Sequence, residues 1–174
     1  MKKFFLIIAC LTFALFQYTY AQPIQIDYST FNTLSMNGWN TVNGTSTNQW
    51  YVGVATGYNN SASIYISNDG GISNSYSTTD PSIVHIYKDI DFSLANNLTF
   101  LTFNWSCWGE RNHDFFNIHL VPTSVMPVAG QEITEGRIGN ARYSGFDSHY
   151  RGAVLKIEPS VLVDNTMRLV ISVT

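Results

Sequence analysis

Short runs in which apolar and polar residues alternate recur along the whole chain: "IQIDY" (24–28), "SIYIS" (63–67), "VHIYKDI" (84–90), "LTFLTFNW" (98–105), "FFNIHLV" (115–121), "AVLKI" (153–157) and "MRLVISV" (167–173). A period of two sends neighbouring side chains to opposite faces of a pleated strand, so each run predicts a strand with one buried and one wetter face. No stretch keeps a helical period for three turns, and only "FSLANN" (92–97) suits a single helical turn. The separators, such as "GYNNSAS" and "SNDGGISNSYSTTDPS", are rich in Gly, Asn, Ser and Asp. Gly reaches positive φ without strain, and Asn or Asp side chains bond back to the backbone, which is turn chemistry. Many short strands joined by such turns predict an all-β antiparallel sandwich.

The densest polar stretch is "WSCWGERNHDFFNIHL" (105–120), and the strand period divides it. Leu101, Phe103, Trp105 and Cys107 share one face, with Thr102, Asn104 and Ser106 opposite; beyond the connection "GERNHD", Phe116, Ile118 and Leu120 form an inner row with Asn117 and His119 on the other side. Cys107 therefore extends an apolar row, away from the exposed, electropositive setting that a thiolate nucleophile needs. His113 and His119 lack the HExxH or paired CxxC spacing of a zinc site. Glu110 and Asp114 come from a single loop, which rarely supplies the cross-cleft separation of glycosidase carboxylates. Calcium is the cofactor this loop admits: a hard ion takes several oxygens, and Glu110, Asp114, Asn112 and loop carbonyls offer them. The same residues read equally well as a hydrophilic turn.

Composition narrows the class. Charged residues are 12% of the 174 and aromatic residues 14%, about half the charge of an average soluble domain. Ten Tyr, eleven Phe and four Trp among many Asn, Ser and Thr favour pleated surfaces over helix and suit an extracellular protein. At the N-terminus, Lys2 and Lys3 precede an apolar run, Phe4 to Phe16, too short to span a bilayer comfortably; it ends in "TYAQ", with small Ala21 before Gln22. This predicts a cleaved secretory signal peptide over 1–21, and a protein that is secreted or held at the cell surface with no membrane insertion after cleavage. Lipidation at Cys10 is disfavoured, because the apolar run continues past it. Loss of Cys10 leaves Cys107 as the sole thiol of the mature chain and rules out an intrachain disulfide. Residues 22–174 suit one domain. Removing Lys2 and Lys3 takes the net charge from −3 to −5, and no basic run occurs, so nucleic acid and anionic membranes are excluded as partners.

Two further stretches carry candidate binding residues. In "GWNTVNGTSTNQW", Trp39 and Trp50 stand at the ends of a polar loop as sugar-stacking platforms or as anchors of the sandwich. The long connection 122–152 combines Arg142, Tyr143, Tyr150 and Arg151 with Arg137, Phe146 and His149, which reads as a recognition surface or as a loop lying half-buried on the sandwich.

Phe31, the pair Gly38–Trp39, Trp50, the "SNDGG" turn at 67–71, the strand ending at Trp105, and Asp114 with its following strand occur in an order that resembles the choice-of-anchor J domain, a relative of cleaved-adhesin and MAM-type modules. The resemblance covers most of 26–174. It implies a jelly-roll sandwich of secreted or surface proteins in Bacteroidetes-type bacteria, attached to larger adhesins or peptidases and without catalytic residues of its own. Related modules bind calcium through an Asp-rich loop between the GW pair and the next Trp. Here residues 40–49 contain no carboxylate, which leaves Glu110 and Asp114 as the carried-over candidates.

The expected function is thus a non-catalytic extracellular binding or adhesion module for glycan or protein, stabilised by calcium if Glu110 and Asp114 bind it. A secreted glycan hydrolase of sandwich fold and a spacer domain of a larger surface protein or peptidase are the alternatives. The run at 167–173 reaches the end of the sequence without a turn, and the resemblance implies one more closing strand; the domain is therefore expected to be truncated at its C-terminus and to belong to a longer, multidomain chain.

Overall fold

The computed structural model describes residues 22–96, 98–109, 113–139 and 142–174, with backbone alone at 146–148. The signal-peptide reading of 1–21 and the candidate ligand Glu110 lie outside the described residues.

Among the described residues eight strands follow one another: β1 (Asn40–Val42), β2 (Gln49–Gly53), β3 (Ser63–Ser67), β4 (Val84–Asp91), β5 (Thr99–Trp108), β6 (Phe116–Pro122), β7 (Phe146–Ile157) and β8 (Thr166–Val173). All are paired antiparallel. Four form the main sheet in the order β1-β4-β8-β6, and the others form two separate ribbons, β2-β3 and β5-β7. The molecule is thus nearly all-β and sandwich-like.

The alternation explains the packing. Val84, Ile86 and Ile90 of β4, Ile118 and Leu120 of β6, and Met167 and Leu169 of β8 are buried on the inner face of the main sheet. Each contributes roughly 1.5–3 kcal/mol through removal from water. Leu101, Phe103 and Leu155 of the β5-β7 ribbon pack over the cluster around Ile118 and Leu169, while Trp50, Ile64 and Ile66 of the β2-β3 ribbon pack over Val84 and Ile86. Trp39 touches both clusters. The upper layer is therefore two ribbons side by side over one floor.

The expected runs became strands except the first. "IQIDY" has the right period but no ladder: residues 22–30 carry no regular secondary structure and are held by side chains. Lys88 Nζ bonds Asp27 at 2.8 Å, Trp39 Nε1 donates to Ser29 Oγ at 3.0 Å, and Ile26 packs on the core. Two strands arise where a polar loop was expected. β1 and β2 lie in different layers, and Asn43 fastens the crossing between them by accepting from Trp50 N at 2.9 Å and donating to Trp50 O at 3.3 Å. β7 starts seven residues before the "AVLKI" run, and its register against β5 jumps between Trp105 and Cys107, from Arg151 to Asp147. Phe92 to Ala95 make only a turn, with Ala95 N bonded to Phe92 O at 2.8 Å.

The outer face of the main sheet is covered by the segment after β6. His85 is wholly buried there; its Nε2 donates to the carbonyls of Val128 and Gln131, each at 3.0 Å, so in the neutral ring Nδ1 accepts from Ser172 Oγ at 2.7 Å. His119 Nδ1 donates to Glu135 O at 2.7 Å. Burial is the first cause that lowers the pKa of both rings, opposed by the carbonyl bonds. A histidine depressed in the folded state is protonated first in the unfolded chain. Stability is therefore complete above the unfolded value of about 6.5 and is lost as pH falls from there toward the depressed folded values. Urea midpoints are expected to drop on going from about pH 7.5 to about pH 5.5, and His85→Gln with His119→Gln should flatten that dependence. Asp69 acts in a separate, more acid window, because the Ser67 and Ser73 hydroxyls hold its carboxyl at about 2.

Candidate functional site

Because the upper layer is split, the interior opens to solvent along a cleft of about 1650 Å³. Its floor is the main sheet, with Ile86, Ile90 and Ile171; its sides are β3 and β5, with Ile64, Ile66, Phe103 and Trp105; and residues 22–31 also line it. The seven exposed or half-buried residues Leu98 and Phe100 to Trp105 all reach it. One cation stands on the inner face of β4. Lys88 shares the parity of Val84, Ile86 and Ile90 and so points inward, where Asp27 neutralises it.

At one end the cleft is polar and aromatic. Tyr150 meets Tyr58 edge-on at 6.1 Å, and its hydroxyl lies 3.0 Å from Thr56 Oγ1. Tyr76, Cys107 and Asp114 also line the cleft. Burial first, and then the Asp114 carboxylate that accepts its hydroxyl, push the Tyr76 pKa up to about 12. Burial likewise raises the Cys107 thiol, with Asp114 adding to the effect. A thiol that resists ionisation is a weak nucleophile. Alkylation of native Cys107 by iodoacetamide at about pH 7.5 is expected to run at least tenfold slower than in the urea-unfolded chain; equal rates would remove it from the inner row.

The sequence candidates separate. Trp39, Trp50 and Tyr150 come together on the cleft. Trp50 is 8% exposed within the core, and Trp39 is half-buried with its indole N–H on Ser29, which favours anchoring over an open stacking platform. Arg151 stacks over Trp105 at 5.9 Å, a cross-strand pair. Tyr143 and Arg142 sit behind, on the β6 side: Tyr143 stacks flat on Phe116 at 4.6 Å and Arg142 covers the Phe115 ring at 4.2 Å. Asp114 is half-buried beside Tyr76. Among the described residues no group of three or more His, Cys, Asp or Glu stands ready for a metal.

Lys88, Tyr76 and Asp27 were not singled out from the sequence. Lys88 had a readable signal, a cation at an inward position of a strand. Tyr76 had none, since it sits in a Ser-rich connection far from Asp114 in sequence. No family model, no curated protein and no solved structure matches the chain.

Proposed function

We propose that this protein is a secreted binding module, an adhesion-type domain of jelly-roll kind in a surface protein, whose ligand, glycan or polypeptide, lies in the cleft between the two ribbons. The observation that carries this reading is the cleft itself: a lining of half-buried apolar side chains, Ile64, Ile66, Phe103, Trp105 and Ile171 among them, with aromatic rings and hydrogen-bonding side chains at one end. Ligand sites have that composition, a large apolar lining with a few convergent polar groups for orientation. Contiguous apolar side chains that stay partly exposed mark interaction sites.

Binding rather than hydrolysis is supported by what the polar groups do. The Asp114 carboxylate accepts the Tyr76 hydroxyl, and the Cys107 thiol is held toward its protonated form. Asp114 remains the residue through which calcium would stabilise the fold, as a hard oxygen donor.

The experiment is a screen of immobilised glycans and peptides against the parent chain and Tyr150→Ala. A ligand bound by the parent and weakened about tenfold by Tyr150→Ala, which removes the Tyr58 and Thr56 contacts at the cleft end, supports the reading. Ligands that bind both proteins equally place recognition elsewhere. Thermal melts with and without calcium address the ion: a rise in Tm for the parent that Asp114→Ala abolishes marks the site.

A further inference from the structure

The long sides of the cleft are strand edges. β3 supplies every residue from Ser63 to Ile66, and β5 every residue from Thr99 to Trp108. Side chains of both parities reach the opening, so it runs along the edges of these strands and not across one face. Among the described residues β3 pairs with β2 alone and β5 with β7 alone. Each therefore presents main-chain N–H and C=O groups, outside any ladder, to the same opening.

Two more observations bear on what fits there. The indole N–H of Trp50 is buried without an acceptor, and Trp50 lines the cleft. A buried donor left alone is unfavourable until an oxygen reaches it. The chain's own residues 22–31 line the cleft without joining either ribbon's ladder, attached through side chains. Lys88, on the same face of β4, is matched by Asp27, and the main-sheet residues that line the cleft carry no charge.

We infer that the cleft is a strand-acceptor site: it takes an extended segment of another protein, apolar at alternate residues, laid between β3 and β5 so that the two ribbons become one continuous layer. A polypeptide strand offers main-chain donors and acceptors to both sides at the strand repeat, while its alternate side chains enter the apolar floor. A sugar ring matches neither the repeat nor the dry floor. The inference rests on the cleft being the binding site and specifies the ligand class for it.

The test uses the full chain, a synthetic peptide of about ten residues with alternating Val and Thr, long enough to span a strand, and the same peptide N-methylated at alternate residues. Calorimetry and amide hydrogen exchange are the readouts. Expected are binding of the parent peptide, loss of about tenfold in affinity on N-methylation, and slowed exchange at β3 and β5 edge amides. Trp50→Phe, which deletes the orphan donor together with part of a buried ring, should bind several-fold more weakly and melt somewhat lower than the parent. Affinity unchanged by N-methylation, or protection away from β3 and β5, overturns the inference. So does protection of those same edges that rises with protein concentration in the absence of peptide, which marks a second copy of the chain as the occupant. A glycan that binds in a Tyr150-dependent manner while both peptides fail also overturns the strand inference, yet leaves the cleft as the binding site.

Discussion

Gly136→Ala is expected to lower unfolding stability by about 3 kcal/mol and to loosen the segment covering the outer face of the main sheet. Gly136 has φ +63°, a region where a Cβ costs about 1–2 kcal/mol, and its hydrogen-side space is filled. A Cβ there would run into the Leu120 carbonyl and the Val121 side chain, and overpacking of this kind adds about 1–3 kcal/mol. The neighbouring bonds, Leu120 N to Gly136 O at 2.7 Å and Ile138 N to Ile118 O at 2.9 Å, are those that dock the segment on β6. Urea denaturation measures the loss, and hydrogen exchange at Leu120 and Ile138 locates it. Gly130→Ala is the control. Gly130 has φ +82° with open space around it, so it reports the backbone cost alone, about 1–2 kcal/mol. Equal losses at the two positions would mean that contact with β6 contributes nothing.

Asp89→Ala should cost about 2 kcal/mol, and adding Arg168→Met should restore most of it. Arg168 is 6% exposed, bonded to both Asp89 oxygens at 2.7 and 2.9 Å, donating to Val125 O at 3.0 Å, and stacked on Tyr87 at 4.4 Å. Removing the carboxylate leaves a guanidinium that burial penalises, with the Val125 carbonyl and the Tyr87 ring still against it but its paired carboxylate gone. A fully buried pair broken this way loses about 3–5 kcal/mol; the Asp89 side chain is 40% exposed, so water screens part of the effect. Methionine replaces the cation with an apolar chain of similar reach in the same cavity. A double-mutant cycle in urea gives the coupling. Additive losses would show that the pair is held by its surroundings and does not hold them.

The sequence reading succeeded where one face of a strand is dry. "VHIYKDI" and "MRLVISV" pair residue for residue, Ile86 with Ile171 and Tyr87 with Val170, because alternation encodes burial directly. It failed where alternation has another cause or is missing. Ile24, Ile26 and Tyr28 alternate, yet only Ile26 is half-buried; Ile24 and Tyr28 are 62% and 68% exposed, since a strand also needs a neighbouring backbone. β1 and β2 were hidden for the converse reason: "NTV" is three residues long, and "QWYVG" sits among Asn, Ser and Thr that serve the turns beside it. At the candidate site, the edge-to-edge opening between β3 and β5 is a property of how two ribbons fail to meet, and no local pattern records it. The proximity of Tyr76 to Asp114 is equally non-local. Lys88 was legible in principle, as the charge that breaks an apolar row.

β8 comes last of the described strands in the chain, yet lies inside the main sheet, between β4 and β6. A chain emerging from synthesis therefore exposes Ile86 and Ile118, on strands destined to be separated, well before the strand that separates them arrives. Both are apolar, both are antiparallel to β8, and nothing in their own chemistry forbids an early, wrong partnership with each other. Assembly must wait for closure of the long loop from Asp91 to Thr166, the kind of non-local step that places folding in the millisecond-to-second range. That delay sets the interval over which a holding chaperone, or misassembly, competes for the chain.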